Sequence, residues 1–360
     1  MKGLFINSKK AKDSIYESGF MVYQSLLNSR TYHIDYCEVD ADLREIKTGY
    51  DFYFFNYHPV TMGWLDTSIL KKQLGFVITM ILEVAPSDAF VLCPKNDFDL
   101  YCALDPTIRQ KNNLYPLPRP LEQITFDIQN NFTNKIPVIG SFGFATRGKG
   151  FQHVVDAVNK EFDSAIIRIN IPFGDFVPDS EVYANFLGNL CKQKAKKGIE
   201  VQVTHDFMTK EELIKWCAAN TLNCFLYDRN MPGLSATTDQ AIVSGRPLAV
   251  SDNDTFRHIT AYLPPYPRFS LKESIEKSVP LVKKMKDNWQ PQRFKEKFET
   301  ILSEHETLIV KKKNISNGNF ILPLKKYSIK NIIQQRIKKY SRKLKNLDIK
   351  KIFRKKDELI

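Results

Sequence analysis

The sequence predicts an α/β protein built from two doubly wound, parallel-sheet domains and a basic helical tail. Three observations carry this. The chain has 360 residues, too long for one ordinary core and right for two domains of about 130 to 150 residues each. Between residues 136 and 250, apolar strand-like runs alternate with helical ones, a pattern that requires parallel strands joined by helices on both faces of a sheet. Residues 311–360 hold 17 Lys and Arg against 3 Asp and Glu, whereas the first 310 hold 36 against 37. The expected divisions are 1–130, 136–275, a helical stretch at 276–312, and the tail at 313–360.

The location of the charge excludes more than its size. A net charge of +13 suggests nucleic acid, but the body is near neutral and the excess lies in the tail, so no basic binding face is expected on the globular part. No apolar run reaches the roughly 20 residues that span a bilayer, and the longest candidate, 76–86, is interrupted by Glu83. The apolar stretch after Met1 is too short for a secretory signal, which gives the expectation of a cytoplasmic protein. The six cysteines (37, 93, 102, 191, 217 and 224) form no Cys-x-x-Cys pair and no Cys/His cluster. Neither disulfides, nor a metal, nor another cofactor is expected.

In chain order, residues 3–7 read as a first strand. After a polar loop, Gly19 stands near a strand-to-helix junction with the helical segment 20–27, where a glycine would let a ligand approach the backbone closely. Strands follow at 32–39, 51–57 and 76–82. The second of these ends in Asn56-Tyr-His58-Pro, where an open α/β sheet presents its loops to ligand, so His58 is a candidate base or acceptor-orienting group as well as a structural histidine. Glu83 is a similar candidate. Tyr115-Pro-Leu-Pro-Arg-Pro120 reads as a stiff connector.

The second domain predicts strands at 137–140, 165–171, 199–203, 222–227 and 247–250, with helices at 151–162, 181–197, 210–219 and 236–244. Beyond Pro264-Pro-Tyr-Pro267, helices are expected at 271–286 and 292–308, then a polar linker at 314–319. In the tail, Ile333, Ile337, Tyr340, Leu344 and Leu347 line one face of a helix among Lys and Arg. That is the form of a helix lying on an anionic membrane surface over residues 325–356, with a short coiled coil or a solvated tail as the other readings.

Two loops of the second domain carry the chemistry. Ser141-Phe-Gly-Phe-Ala-Thr-Arg-Gly-Lys-Gly150 precedes a helix; Gly143, Gly148 and Gly150 free the backbone to wrap a phosphate, and Arg147 and Lys149 supply charge. It is neither a Walker loop nor Gly-x-Gly-x-x-Gly. The second loop, Phe225 to Asp252, passes through Asp228, Gly233, Leu234, Ser235, Thr237, Thr238 and Gln240. Its hydroxyls read either as a phosphate seat or as a simple helix cap.

Taken in order, Gly143 through Lys149-Gly-Phe151, His205-Asp-Phe-Met208, Phe225-Leu-Tyr-Asp, Pro232-Gly-Leu and Gln240 to Asp252 resemble the retaining nucleotide-sugar glycosyltransferases of the GT-B fold, family-four type. The resemblance covers roughly 136–260. It implies two Rossmann-like domains facing across a cleft, with a nucleotide-sugar donor held mainly on the second. Arg147 and Lys149 would hold the diphosphate, His205 to Met208 would lie near the base, and the turn from Gly233 to Gln240 would hold sugar and phosphate. A glycan or lipid-linked acceptor would enter from the first domain, as in surface polysaccharide or lipopolysaccharide synthesis. Departures are visible: where the family has two glutamates eight apart, this chain has Pro232 and Gln240, with Asp228 and Asp239 nearby. Where it has an arginine five before the lysine, this chain has Phe144.

Overall fold

The computed structural model describes residues 1–9, 14–92, 96–124, 136–174, 179–229, 231, 233–313 and 317–325. The first part of the chain runs β1 (Lys2–Ser8), α1 (Ser14–Leu26), β2 (His33–Val39), β3 (Glu45–Lys47), β4 (Phe52–Phe55), α2 (Leu70–Leu74), β5 (Val77–Ile81), α3 (Ala89–Leu92), β6 (Leu100–Ala103) and β7 (Leu114–Pro116). Six of the strands form one sheet in the order β2-β1-β4-β5-β6-β7, and every pairing in it is parallel. A parallel sheet is covered on both faces, and β4 shows it: Phe52 and Phe54 pack into one apolar cluster, Tyr53 and Phe55 into another on the opposite face.

β6 and β7 escaped the sequence reading because four- and three-residue strands carry too little pattern to register. The expected connector accordingly begins later: Leu114 to Pro116 form an edge strand, the one place in a sheet that tolerates proline's missing donor.

The second sheet arises from β8 (Val138–Phe142), α4 (Phe151–Glu161), β9 (Ala165–Asn170), α5 (Ser180–Lys194), β10 (Ile199–Thr204), α6 (Lys210–Ala218), β11 (Leu222–Phe225), α7 (Thr237–Val243) and β12 (Leu248–Val250). Its order is β10-β9-β8-β11-β12, again wholly parallel. The chain winds outward from β8 to β10, then returns to place β11 on the other side of β8. Strand order therefore reverses between β8 and β11, and the loops leaving these two strands flank the crevice where an open sheet binds ligand.

The chain continues through α8 (Arg257–Thr260), α9 (Leu271–Lys277), α10 (Val279–Asn288), α11 (Pro291–Glu304), α12 (Glu306–Lys312) and β13 (Asn319–Ile321). The helix expected over 271–286 is two helices meeting at Ser278, because Pro280 begins a new helix and cannot continue the old one. The second expected helix is likewise divided, at His305. α11 returns to the first domain, where Phe294, Phe298, Ile301 and Leu302 are buried with Phe5, Phe52 and Phe54. β13 then pairs antiparallel with β3, so Asn319, expected in a linker, opens a strand. The apolar stripe from Ile333 to Leu347 lies outside the described residues, as do all of 326–360.

Two segments thus cross between the domains, and they touch: Leu121 N–H donates to the Trp289 carbonyl at 2.8 Å. Further contacts hold the lobes together. Arg257 donates Nε to Asp105 at 2.8 Å and Nη2 to the Val84 carbonyl at 2.8 Å, and this ion pair is nearly buried. Lys210 bridges Glu17 of α1 and Glu122 of the connector at 2.8 and 2.9 Å.

Candidate functional site

The loop after β8 is shaped by glycines that no other residue replaces. Gly148 and Gly150 hold φ of +79° and +65°, and a Cβ on Gly150 would stand 1.7 Å from the Leu226 carbonyl oxygen. The close approach presses this loop onto the end of β11 and turns Lys149 inward, where only 9% of it is exposed. Gly150→Ala is therefore expected to destabilise the protein by about 2 to 4 kcal/mol, through a main-chain collision and left-handed strain, measured by urea unfolding.

Inside, Lys149 Nζ donates to the Tyr227 hydroxyl at 2.8 Å and lies 4.5 Å from the centre of that ring. Tyr227 Oη is 2.9 Å from Thr237 Oγ1 and accepts from Ser235 Oγ at 3.3 Å; the two smaller hydroxyls are 2.6 Å apart. The Gly143 main chain borders the group, since a Cβ there would stand 3.4 Å from Nζ and 3.5 Å from Thr237 Cγ2. One ammonium and three hydroxyls, from three segments, thus converge at the switch point of the sheet.

The electrostatics of this cluster are unusual. Burial pushes the Lys149 pKa below the ordinary lysine value, with the neighbouring Tyr227 opposing the shift. Burial alone would raise Tyr227, but the adjacent ammonium and the bonds from Lys149, Ser235 and Thr237 bring it below its ordinary value. Among the described residues no carboxylate pairs with Lys149, so a buried cation is met by hydroxyls and the Tyr227 ring without a counter-charge. Such a charge is costly in isolation and is relieved by an anion.

The hydroxyls of the second loop do not cap α7. Ala236 occupies the N-cap and no side chain caps the helix, while Thr238 Oγ1 turns back to the Ser235 carbonyl at 2.8 Å. Gly233, Leu234 and Gln240 are half-buried. Asp239 faces Arg119 of the connector at 3.0 Å, and Asp228 faces His153 of α4 at 2.9 Å. Neither carboxylate joins the cluster through these contacts. Arg147 is exposed and takes part in no hydrogen bond or ion pair among the described residues.

His205 closes a neighbouring wall. Its Nδ1 lies 2.8 Å from the Ile171 carbonyl, and its ring stacks on Phe173 at 4.8 Å. Met208 is half-buried beside exposed Phe207.

On the opposite lobe, Gly19 sits inside α1 rather than at the junction, and the space a side chain would take is filled by Asn56 Nδ2 at 2.2 Å and Asn7 Oδ1 at 2.6 Å. Its smallness serves the packing of α1 on the sheet. His58 is buried beside Glu83, whose Cγ would lie 3.2 Å from a Cβ on Gly233 of the second lobe.

Sequence reasoning counted Tyr227 as the last apolar residue of a strand. Its hydroxyl at the carboxyl end of that strand is the signal that was present. Arg229, whose guanidinium lies 5.3 Å from the Tyr227 ring, and Arg119, whose partner Asp239 is remote in sequence, stand in no recognisable pattern and gave none.

No family model and no curated protein matches the chain in sequence. Solved structures match in shape. A glycosyltransferase from Rickettsia africae is 9% identical with a TM-score of 0.58, covering 86% of this chain and 98% of its own. HepE of Anabaena in complex with UDP-glucose is 12% identical with a TM-score of 0.56, covering 84% and 100%. The lipopolysaccharide outer core galactosyltransferase WaaB is 11% identical with a TM-score of 0.54 and the same coverage. With two parallel sheets, each with a reversal of strand order, and a C-terminal return to the first lobe, the chain has the GT-B fold: two Rossmann-like domains facing across a cleft.

Proposed function

We propose that the protein is a glycosyltransferase, moving a sugar from a nucleotide-sugar donor to a glycan or lipid-linked acceptor in surface polysaccharide or lipopolysaccharide synthesis. The observation that carries this reading is the buried, carboxylate-free Lys149 cluster at the switch point between β8 and β11. Departure of a nucleoside diphosphate builds negative charge on phosphate oxygens. A preorganised ammonium with hydroxyls beside it stabilises that charge more than it stabilises the ground state. Gly143 and Gly150 bring main chain close to the same point, Gly233 to Gln240 border the sugar, and the stacked Phe173 and His205 offer the base a flat wall. Arg147 reaches the outer phosphate from solvent. The kinship in shape with HepE, solved with UDP-glucose, supports a uridine nucleotide as the first donor to try.

The acceptor enters from the first lobe, and the tail at 325–356 brings the enzyme to an anionic membrane, where lipid-linked acceptors reside. No helix among the described residues is long and apolar enough to cross a membrane.

Thermal unfolding with UDP, GDP and their sugars tests the reading. At one hundred times Kd a bound donor is expected to stabilise the protein by about 2.7 kcal/mol. No shift with any nucleotide would refute it, and a shift without release of sugar would favour a non-catalytic binding module.

A further inference from the structure

The carboxyl end of β5 carries a group that the donor cluster does not use. Glu83 holds φ of +59°, a backbone conformation that a glutamate keeps only when its surroundings impose it. Its side chain is 58% exposed, while that of the adjacent His58 is 9% exposed. His58 Nδ1 accepts the Val60 N–H at 3.2 Å, which assigns the ring proton to Nε2, the atom 3.4 Å from the Glu83 carboxylate. The histidine therefore presents a donor to the glutamate, and the glutamate is the member that meets the cleft. The following residue is clamped to the far lobe by the bond from Arg257 to the Val84 carbonyl. Glu83 also packs so closely under Gly233 that a methyl there would approach its Cγ to 3.2 Å. Gly233 lies two residues before Ser235 of the donor cluster.

The structure assigns to Glu83, positioned by His58, the role of proton acceptor for the incoming hydroxyl, an inference that rests on the nucleotide-sugar reading above. In the step, the acceptor oxygen bonds to the anomeric carbon. The bond from that carbon to the diphosphate oxygen breaks with its electron pair passing to the diphosphate, and the hydroxyl proton passes to the Glu83 carboxylate. Attack on an oxocarbenium-like carbon makes that proton strongly acidic, so a carboxylate suffices, as it does in glycoside hydrolysis. The titratable and charged groups facing Glu83 are His58 on its own lobe, Arg229 after β11 and Arg119 of the connector. The bond from His58 outweighs burial, and the charges of Arg229 and Arg119 act in the same direction, so the carboxyl lies below the ordinary glutamate range and is ionised at neutral pH.

The test is release of UDP from UDP-glucose, UDP-galactose and UDP-N-acetylglucosamine with water as the incoming hydroxyl. It is run against pH on the full chain, alongside the donor-induced thermal shift. With the donor that turns over fastest, Glu83→Gln is expected to lower kcat by about 100-fold or more while keeping the shift. Glu83→Asp keeps part of the rate. His58→Ala is expected to lose activity on acidification at a higher pH than the wild type, because the carboxyl returns toward its ordinary range. Glu83→Gln turning over at the wild-type rate overturns the assignment. So does a variant that loses both turnover and donor shift, which would make Glu83 a donor contact. If the wild type binds donor yet releases no UDP, the assignment fails and donor binding stands. If no donor shifts the wild type, the reading beneath it fails first.

Discussion

Lys149→Met is expected to remove nucleotide-sugar binding while leaving the unliganded protein as stable as before, or more so. The ammonium is buried among hydroxyls without a carboxylate, so folding bears its desolvation, and a methionine keeps the aliphatic stem that packs there. A diphosphate repays that cost only when the charge is present. Charge-assisted bonds of this kind are worth up to about 3 kcal/mol, on the order of 100-fold in Kd, which calorimetry with UDP and a donor sugar would read. The pH dependence follows from the same shift. The folded-state pKa of Lys149 lies below the lysine value of 10.5, so donor affinity declines as pH rises through that lowered value. Tyr227, also lowered, adds a negative charge in the same direction. Stability of the unliganded protein moves the opposite way, rising as the buried ammonium loses its proton. Arg147→Ala is expected to act more weakly, because an exposed arginine has solvent in place of a partner.

Phe298→Ala is expected to destabilise the first lobe by about 3 to 5 kcal/mol, read by urea unfolding. The ring is fully buried, stacks on Phe54 at 5.2 Å and 9°, and meets Tyr32 and Phe52 edge-on at 5.8 and 6.1 Å. It is carried by α11, far along the chain from the sheet it completes. A loss of this size from a residue at position 298 would establish that the first lobe needs the end of the chain in order to fold.

The second sheet was legible because its inner strands are short, largely apolar buried runs, its edge strand β10 alternates apolar with polar, and its helices repeat an apolar face, so pattern and burial agree. In the loop after β8, Gly148 and Gly150 stand out because a left-handed backbone restricts residue choice, but that Lys149 turns inward could not be read from the sequence. What sequence could not reveal was partnership. Ser235 as a cap and Ser235 as a member of a cluster have the same spelling; only Tyr227, eight residues away and across a turn, decides between them. The pairing of His58 with Glu83 depends on β4 lying beside β5, and that of Arg257 with Asp105 on how the lobes meet, and no local period encodes either. The short strands β6, β7 and β13 were illegible for the same reason, since each exists by virtue of the strand beside it.

The bond between Leu121 and Trp289 has a mechanical meaning. The two crossings meet at one point and the Arg257–Asp105 pair fastens the lobes at another, so an opening of the cleft about the crossings would have to break that ion pair. Glu83 and Gly233 stand against each other from opposite lobes, so the same opening would part them.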